Sequence, residues 1–460
     1  MMKKFTMVIL LLAIEANVTS VAADDFDDLF ADDPFATVVI EDQVARTGPL
    51  TISQAFGLQS IVNINSNKTS TIEQAYSGLS SLQLSYRPGL QYRPNDWLSV
   101  DFEAFVATDG VFAIRSEQAW SEEDRDNREF VGKLTEFTVD TRYDNWFLTS
   151  GLQTVTLGLA DALSISNRLY AQDLNVPGLV SLEDAAIPAW TSLLSGNFGP
   201  IRVKTGVIFN HETNTIAEPG TDFANDFSSI DVQTKNFSFE NMSSFVSLSG
   251  VLGALDWQTN INSQLEHSPY MELGIVQSGT PPVFGPVNID FARTEAVTAA
   301  VSYVVGSTLF KAEAGVTLGF IGQRQVANVP SDMIEFDRAS GVLGLDYNSN
   351  RLGRLVAEIQ VSRVLDYENL DLINTEETTA QWVLMLSKNF FREQLNMSAQ
   401  IISFDISGDA GRIQGLNLSY DISDTLSTEV RYLDYVAGEF ILLNGADDRD
   451  RLVVSVELLF

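Results

Sequence analysis

The sequence predicts an all-β fold, a single transmembrane antiparallel β-barrel of about 18 strands with short periplasmic turns and long external loops. Three observations carry this prediction. Segments of alternating polar and apolar residues recur along the chain, tight and long connections alternate between them, and no segment approaches the roughly 20 apolar residues of a transmembrane helix. Hydrophobic residues make up 45% of the chain and charged residues 19%, a balance typical of an alternating barrel.

The alternating segments are each close to the ~10 residues that a tilted strand needs to cross a bilayer. Their number is even, as expected for a barrel of antiparallel hairpins. The predicted strands cover residues 56–64, 82–92, 98–106, 134–143, 146–156, 190–196, 201–209, 244–252, 255–266, 296–305, 310–318, 341–347, 355–364, 381–388, 395–404, 413–420, 426–435 and 451–460.

The connections support the same arrangement. Turn-forming residues fill the tight connections, such as 144–145, 197–200, 253–254 and 306–307, and suit adjacent antiparallel strands. Several others are far longer, at 107–133, 157–189, 210–242 and 267–295. If the first strand rises from the periplasm, every tight turn and the carboxy-terminus fall on the periplasmic side, which matches the short-turn side of outer-membrane barrels.

The two faces of each predicted strand differ in polarity, as the strand around Trp257 shows. Leu255, Trp257 and Ile261 share one face, and Gln258 and Asn260 share the other. Lipid must contact the apolar face, because an Arg or Lys at mid-bilayer on a barrel exterior costs about 2–4 kcal/mol. The polar face then lines a lumen that is wide enough for water. The predicted charged lining residues are Asp101, Glu103, Glu136, Asp140, Arg142, Arg202, Lys204, Lys311, Glu313, Arg354, Glu358, Glu429, Arg431, Arg451 and Glu457.

Two uses of these lumen charges are open. Carboxylates and basic groups on neighbouring strands can pair and stabilise the wall, each pair contributing tenths of a kcal/mol to about one. Alternatively, basic groups attract anionic solutes while the abundant carboxylates favour cations. The selectivity candidates are Arg142, Arg202, Lys204, Lys311, Arg354 and Arg431.

The two ends of the chain indicate its location. Lys3 and Lys4 precede an apolar run at 5–14, and Ala22 and Ala23 provide a cleavage site, which together predict a secretory signal peptide at 1–23. The last ten residues alternate strictly and end on Phe460. This ending resembles the closing strand of bacterial outer-membrane β-barrels. The resemblance implies an outer-membrane location, contact with lipid and lipopolysaccharide, and recognition of Phe460 by the barrel-assembly machinery.

The stretch from Glu136 to Pro188 carries a second resemblance. It contains Gly158-Leu-Ala-Asp161, Asp173-Leu-Asn175 and Leu182-Glu-Asp184 among other short elements, and it is similar to alginate-export-like outer-membrane barrels of largely unassigned substrate. Leu157 stands where those barrels commonly have Trp. Residues 159–184 follow a strand as a long loop, which either folds into the pore as a constriction or caps the barrel mouth. The constriction candidates are Asp161, Asn167, Arg168, Asp173, Glu183 and Asp184.

An acidic segment at 24–49 precedes the barrel, which is predicted for 50–460. Its acidic pairs alternate with Phe26, Leu29, Phe30 and Phe35. As a free chain it should be disordered. The aromatic and leucine side chains either dock on a periplasmic transport partner or plug the lumen, or the segment is only a solubilising tail.

The composition excludes several functions. Cysteine is absent, which rules out disulfides, thiolate metal sites and a catalytic thiol. A formal net charge of −33 argues against nucleic acid, because phosphate binding needs a basic patch. The two histidines, His211 and His267, fall in predicted external loops, where we expect them to be solvated rather than catalytic. We therefore predict no enzyme activity, no cofactor and no metal site.

The resulting functional prediction is a passive, porin-like outer-membrane channel for diffusion or export of small or polymeric solutes, with the charged lumen and an inward-folding loop setting selectivity. The alternative is a non-conducting surface receptor or structural barrel that binds a ligand or lipid through its external loops. An alginate-like polymer, fatty or aromatic small molecules, and anions in general are all candidate solutes.

Overall fold

The structure is a computed structural model that describes residues 49–64, 75–179, 185–225, 228, 230, 232, 234–277, 283–326 and 329–460. Within these residues, an 18-stranded antiparallel sheet closes on itself. The first strand, β1 (Leu50–Asn63), pairs with both β2 (Gly78–Asn95) and the last strand, β23 (Arg451–Leu459). Closure leaves the barrel sheet without a free edge. The predicted barrel and its strand number are confirmed.

Every predicted segment overlaps one barrel strand. The remaining strands of the barrel are β3 (Leu98–Asp109), β4 (Phe130–Tyr143), β5 (Trp146–Gln153), β8 (Ala189–Phe198), β9 (Ile201–Ile208), β11 (Ser243–Leu252), β12 (Leu255–Leu265), β15 (Arg293–Val305), β16 (Thr308–Val326), β17 (Val329–Ser349), β18 (Gly353–Val364), β19 (Thr378–Phe390), β20 (Leu395–Ser403), β21 (Arg412–Ser423) and β22 (Leu426–Val436).

The other elements belong to the long loops at one end of the barrel. Two short helices, α1 (Val111–Ile114) and α2 (Glu122–Arg128), lie between β3 and β4. Short strands β6 (Ala171–Leu174), β7 (Ala186–Ile187) and β10 (Thr215–Ile216) form a small sheet, and β13 (Tyr270–Gln277) pairs with β14 (Val283–Asp290). Within the described part of the chain, three 3-10 helices occupy Tyr367–Asn369, Ile441–Leu443 and Ala446–Asp448. No helix among the described residues is long and apolar enough to cross a membrane.

The tight turns and the long loops lie at opposite ends of the barrel, as predicted. At one end, tight turns join β8 to β9, β11 to β12 and β15 to β16, with left-handed Gly199, Gly253 and Gly306 respectively. The long loops lie at the other end. One connection differs from prediction: β16 and β17 do not stop near 318 and 341 but continue to Val326 and from Val329. The alternation of polar and apolar residues is lost in this extension. A hairpin that projects beyond the bilayer keeps its backbone hydrogen bonds, but neither of its faces contacts lipid, so neither has to be apolar.

The alternation of the two faces is clearest in β15. Its side chains are exposed and buried in strict turn over most of its length. Val297, Val301 and Tyr303 point outward, whereas Thr298 and Ala300 point inward. Such burial of an inward face means that something fills this side of the lumen. The filling comes from residues 154–179, which we call the inner segment.

The inner segment begins where β5 ends at Gln153, three residues before the predicted strand end. Its apolar side chains pack against inward-facing residues of the wall. Leu163 and Ile165 contact Val342 of β17 and Val383 of β19 in one buried cluster. Apolar burial of this kind contributes about 1.5–3 kcal/mol for each large side chain. The inner segment is therefore packed against the wall from inside the barrel.

Candidate functional site: the lumen and its inner segment

Glu313 of β16 is the first anchor of the inner segment. Its carboxylate accepts hydrogen bonds from the backbone N–H groups of Leu159 and Ala160, at 2.7 and 2.9 Å. It also accepts from the Ser164 hydroxyl at 2.9 Å and from the Ser166 N–H at 3.2 Å. The residue is almost fully buried, at 3% exposure. A buried carboxylate is stable only when its oxygens are hydrogen-bonded, and the inner segment meets that requirement.

Glu358 of β18 is the second anchor. Its carboxylate accepts from three successive backbone N–H groups, those of Asp161 at 2.6 Å and of Ala162 and Leu163 at 2.9 Å each. Successive amides that converge on one anion form a concave anion-binding nest. Hydrogen bonds to charged groups contribute about 1.5–3 kcal/mol each, so these two carboxylates fix the path of the segment.

Asp161 adds an ionic contact at the same place. Its carboxylate lies 2.8 Å from the Lys311 ammonium and 3.3 Å from the Arg354 guanidinium. Arg354 also pairs with Asp346 on the neighbouring strand, at 2.6 Å. The structure thus brings together four predicted lining residues, Lys311, Glu313, Arg354 and Glu358, around a predicted loop residue.

Gly158 occupies the start of this contact region. Its φ of +100° lies in the range that favours glycine. A Cβ placed there would lie 2.0 Å from Ser164 Oγ and 2.7 Å from Glu313 Oε1. Only glycine therefore allows the segment to approach Glu313 so closely.

The other constriction candidates lie further along the segment. Asn167 accepts from the Leu157 N–H at 3.3 Å and donates to the Tyr170 hydroxyl at 2.8 Å. Arg168 forms an ion pair with Glu266. Asp173 accepts from Thr215 at 3.1 Å and joins the small sheet at the barrel mouth. The candidates thus divide between lumen wall and mouth, and Glu183 and Asp184 lie outside the described residues.

The segment and a second loop end against the same wall. Tyr435 donates to the Pro177 carbonyl at 2.8 Å, and Arg431 donates to the Leu179 carbonyl. From the loop between β9 and β11, Asp222 pairs with Arg451 at 2.9 Å, both almost completely buried. Two loops therefore cross the barrel mouth and are held at β22 and β23.

The remaining predicted lining residues also lie on the inward face. Four carboxylates gather on β3 and β4, where Glu103 and Glu136 are directly opposite in the register. Their neighbours are mostly neutral donors, such as Gln91, which donates to Asp101 at 2.6 Å.

The other predicted lining residues have partners of several kinds. The Arg142 guanidinium lies over the Phe147 ring at 5.2 Å. Glu429 pairs with Arg431 at 2.5 Å. Arg202 and Lys204 are opposite Ser249 and Ser247, respectively, in the register of β9 and β11. Asp140 accepts a hydrogen bond from the Thr149 hydroxyl. Glu457 is opposite Ser427.

The expectation that the two histidines are solvated was wrong. His211 is 4% exposed and stacks on His267, with ring centroids 6.1 Å apart. The two nitrogens of His267 lie 2.7 Å from the Glu212 carbonyl and 3.1 Å from the Arg168 carbonyl. The histidines therefore connect the inner segment to the external loops. Burial occurs because these loops fold over the mouth, which the local sequence does not reveal.

We expect the histidine contacts to loosen in mild acid. Burial lowers the pKa of both His211 and His267, and Arg168, Lys235 and Arg293 act in the same direction, whereas Glu266 and the carbonyl contacts oppose it. A lowered folded-state pKa means that stability is complete above the unfolded value of about 6.5 and decreases as the pH falls below it. Hydrogen exchange of the external loops, corrected for intrinsic rates, should accelerate below about pH 6.5. The His211→Gln/His267→Gln variant should lose this dependence, and equal sensitivity in both proteins would contradict the assignment.

A cavity of about 1420 Å³ with a mixed polar and apolar lining remains beside the inner segment. Residues 162–178 border it on one side, and the inward faces of β18 to β21 border it on the other. Gln360, Gln381, Gln400 and Asn417 line it, as does Arg338, whose guanidinium lies over the Phe320 ring at 4.8 Å. The sequence reading did not select these residues. The glutamines carry no charge to attract notice, and Arg338 fell in a region predicted as a loop.

Phe460 closes the seam of the barrel. Its backbone exchanges hydrogen bonds with Gln54 of β1, at 2.8 and 3.1 Å, and its ring lies edge-on to Phe56 with centroids 6.1 Å apart. The side chain is 69% exposed on the outside. The other predicted partner-binding residues, Phe26, Leu29, Phe30 and Phe35, lie outside the described residues.

No protein-family model and no curated protein matches the chain. Solved structures are similar to it. OccK8 (OprE) of Pseudomonas aeruginosa matches with a TM-score of 0.51 and 11% identity, over 89% of this chain and 98% of that one. OpdK of the same species, solved with vanillate, has a TM-score of 0.49 and 7% identity over 89% and 98%. OccAB1 of Acinetobacter baumannii has a TM-score of 0.49 and 10% identity over 89% and 96%.

These structural neighbours are bacterial outer-membrane β-barrel porins. The chain thus has the closed 18-stranded antiparallel barrel fold of bacterial outer-membrane porins.

Proposed function

We propose that the protein is a passive, porin-like channel of the bacterial outer membrane, without a chemical step. The observation that carries the proposal is the inner segment, which Glu313 and Glu358 hold against the lumen wall beside a cavity of about 1420 Å³. A barrel that only needed stability would gain more from a dry apolar filling, because burying charges costs free energy. A narrowed, hydrated passage fits the transfer of small solutes better than that of a polymer.

The inner segment is the proposed constriction, and the lumen charges are its selectivity elements. Several of them are paired with one another or with the segment. Asp161 pairs with Lys311 and Arg354, Asp346 also pairs with Arg354, and Glu429 pairs with Arg431. Arg202 and Lys204 face the lumen near the tight-turn end of β9. Within the proposal, these two are the basic selectivity residues of β9.

A non-conducting surface receptor is the second candidate. One observation favours it: the buried Asp222–Arg451 pair closes part of the mouth with an external loop. A loop that seals the mouth would present its outer surface to a ligand. Conductance separates the two functions.

The finer relationship, to alginate-export-like barrels, rests on the sequence stretch from Glu136 to Pro188. Within this stretch, Gly158 to Asp161 makes the contacts with Glu313 and Glu358. These contacts support a shared way of anchoring the inner segment to the lumen wall. We propose the relationship for this anchoring alone, because the substrates of those barrels are largely unassigned.

The proposed partners are outer-membrane lipid, lipopolysaccharide and the barrel-assembly machinery. The exposed Phe460 ring at the seam supports the last of these. A periplasmic transport partner for the acidic segment remains part of the proposal. Deleting residues 24–35 should abolish its capture while the barrel still assembles.

Planar-bilayer recording of the refolded protein tests the channel. We expect discrete conductance steps, and a shift of ion selectivity toward cations in the Arg202→Gln/Lys204→Gln variant, because removing positive charge lowers the local anion concentration. A silent bilayer with correctly folded protein would favour the receptor.

A further inference from the structure

One wall of the cavity carries no charge, although 19% of the chain is charged. The register places Gln381 opposite Gln360, Gln400 opposite Met385, and Asn417 opposite Ser398, all on the inward face. No described inward side chain of β19 or β20 is charged, and none in β21 before Asp421. The inward residues of this neutral wall are Thr379, Gln381, Val383, Met385, Ser387, Asn389, Asn396, Ser398, Gln400, Ile402, Ile413, Gly415, Asn417 and Ser419.

The wall instead carries a series of amides and hydroxyls. Near the mouth, Gln381 donates to Gln360 at 2.7 Å, and at the tight-turn end Asn396 donates to Asn389 at 2.6 Å. Between these pairs, Gln400 and Ser398 make no side-chain hydrogen bond to the rest of the described chain. Asn417 Oδ1 is buried without a partner within the same residues. Of these groups, the Gln400 amide and the Ser398 hydroxyl offer donors and acceptors in the middle of the wall that are not used internally.

Gly415 gives Gln400 its position. A Cβ at Gly415 would lie 3.1 Å from Gln400 Cγ and 3.2 Å from its Nε2. The glutamine therefore lies flat across β21, with its amide against the cavity. Apolar groups of Met385, Ile402 and Ile413 flank the amides on the same wall.

The charges around the cavity lie on elements next to this wall. Arg431 of β22 is directly opposite Asn417 and pairs with Glu429, and Arg168 pairs with Glu266. Arg338 lies over Phe320 on β16, towards the mouth. Glu376, Asp405, Asp409 and Glu439 belong to loops at the mouth, and Asp173 to the outer part of the inner segment. A solute that passes along β19 to β21 meets amides, hydroxyls and short apolar groups.

We propose that this wall is a path for neutral polyhydroxylated solutes of the size of a monosaccharide, in preference to ions of either sign. Hydroxyl groups of the solute exchange water for the Gln400 amide and the Ser398 hydroxyl, while ring C–H groups contact Met385 and Ile402. An ion on the same path loses hydration without meeting an opposite charge, which is costly. This inference rests on the proposed channel function.

Liposome swelling with three solutes of one ring size tests the preference. We expect galactose to enter faster than both galacturonate and galactosamine. Entry of either charged sugar at an equal or higher rate would overturn the inference while leaving the channel intact. If galacturonate entered fastest, the solute path would run beside Arg338 instead of along the neutral wall. If glycerol also fails to enter, both for this protein and for the Glu313→Gln/Glu358→Gln variant, the channel itself is refuted.

The Gln400→Glu variant tests the wall directly. A carboxylate in the middle of the wall should raise the galactosamine-to-galacturonate entry ratio several-fold, because the cation then finds a partner. Gln59→Glu is the matched control. Gln59 faces the lumen from β1, opposite Gln83 and Ser455 and away from the cavity. An equal shift in both variants, or none in Gln400→Glu, would exclude the wall as the solute path.

Discussion

Replacing Glu313 and Glu358 together by glutamine should raise the single-channel conductance several-fold. Each carboxylate accepts at least three hydrogen bonds from the inner segment, and a glutamine presents an NH₂ group to donors that then have no acceptor. Each buried donor left unsatisfied costs about 1–3 kcal/mol. The segment should leave the wall and widen the passage, which bilayer recording and the exclusion limit in liposome swelling both measure.

The matched control for this variant is Glu457→Gln. Glu457 is another lumen carboxylate, but it lies on β23 opposite Ser427 and, within the described residues, has no hydrogen bond or ion pair with the inner segment. Its replacement removes a negative charge without freeing the segment, so the conductance should change little. A double variant that behaves like the control would show that the segment does not narrow the pore.

Gly158→Ala should displace the inner segment by a steric route. The left-handed backbone costs about 1–2 kcal/mol for an alanine, and the new Cβ would lie 2.0 Å from Ser164 Oγ and 2.7 Å from Glu313 Oε1. Overpacking of this kind costs typically about 1–3 kcal/mol more. We expect faster proteolysis of the segment in the folded barrel and a rise in conductance, with unchanged β-sheet circular dichroism.

Gly199→Ala separates backbone strain from the clash. Gly199 has a φ of +60° in a tight turn, and no atom lies within 4 Å of a Cβ placed there. This variant should lose some stability but keep the conductance and protease resistance of the inner segment. If both variants changed conductance equally, the contact with Glu313 would not be the cause.

The sequence itself determines the barrel. Alternation with period two shows which side of each strand must contact lipid, because a misplaced charge on the exterior is costly. The same alternation placed Glu313, Glu358, Lys311 and Arg354 on the inward face. Tight turns such as 253–254 fix antiparallel neighbours through local chemistry. These features depend on residues close together in the chain, and so they could be predicted.

The partners of the lumen residues were decided by the tertiary structure alone. Asp161 meets Lys311 and Arg354 across 150 and 193 residues of chain, because closure of the barrel brings β16 and β18 beside a segment that leaves β5. The burial of His211 and His267 depends in the same way on loops that fold over the mouth. Local patterns specify what a side chain can do, whereas the closed barrel and its inner segment decide which groups each side chain meets.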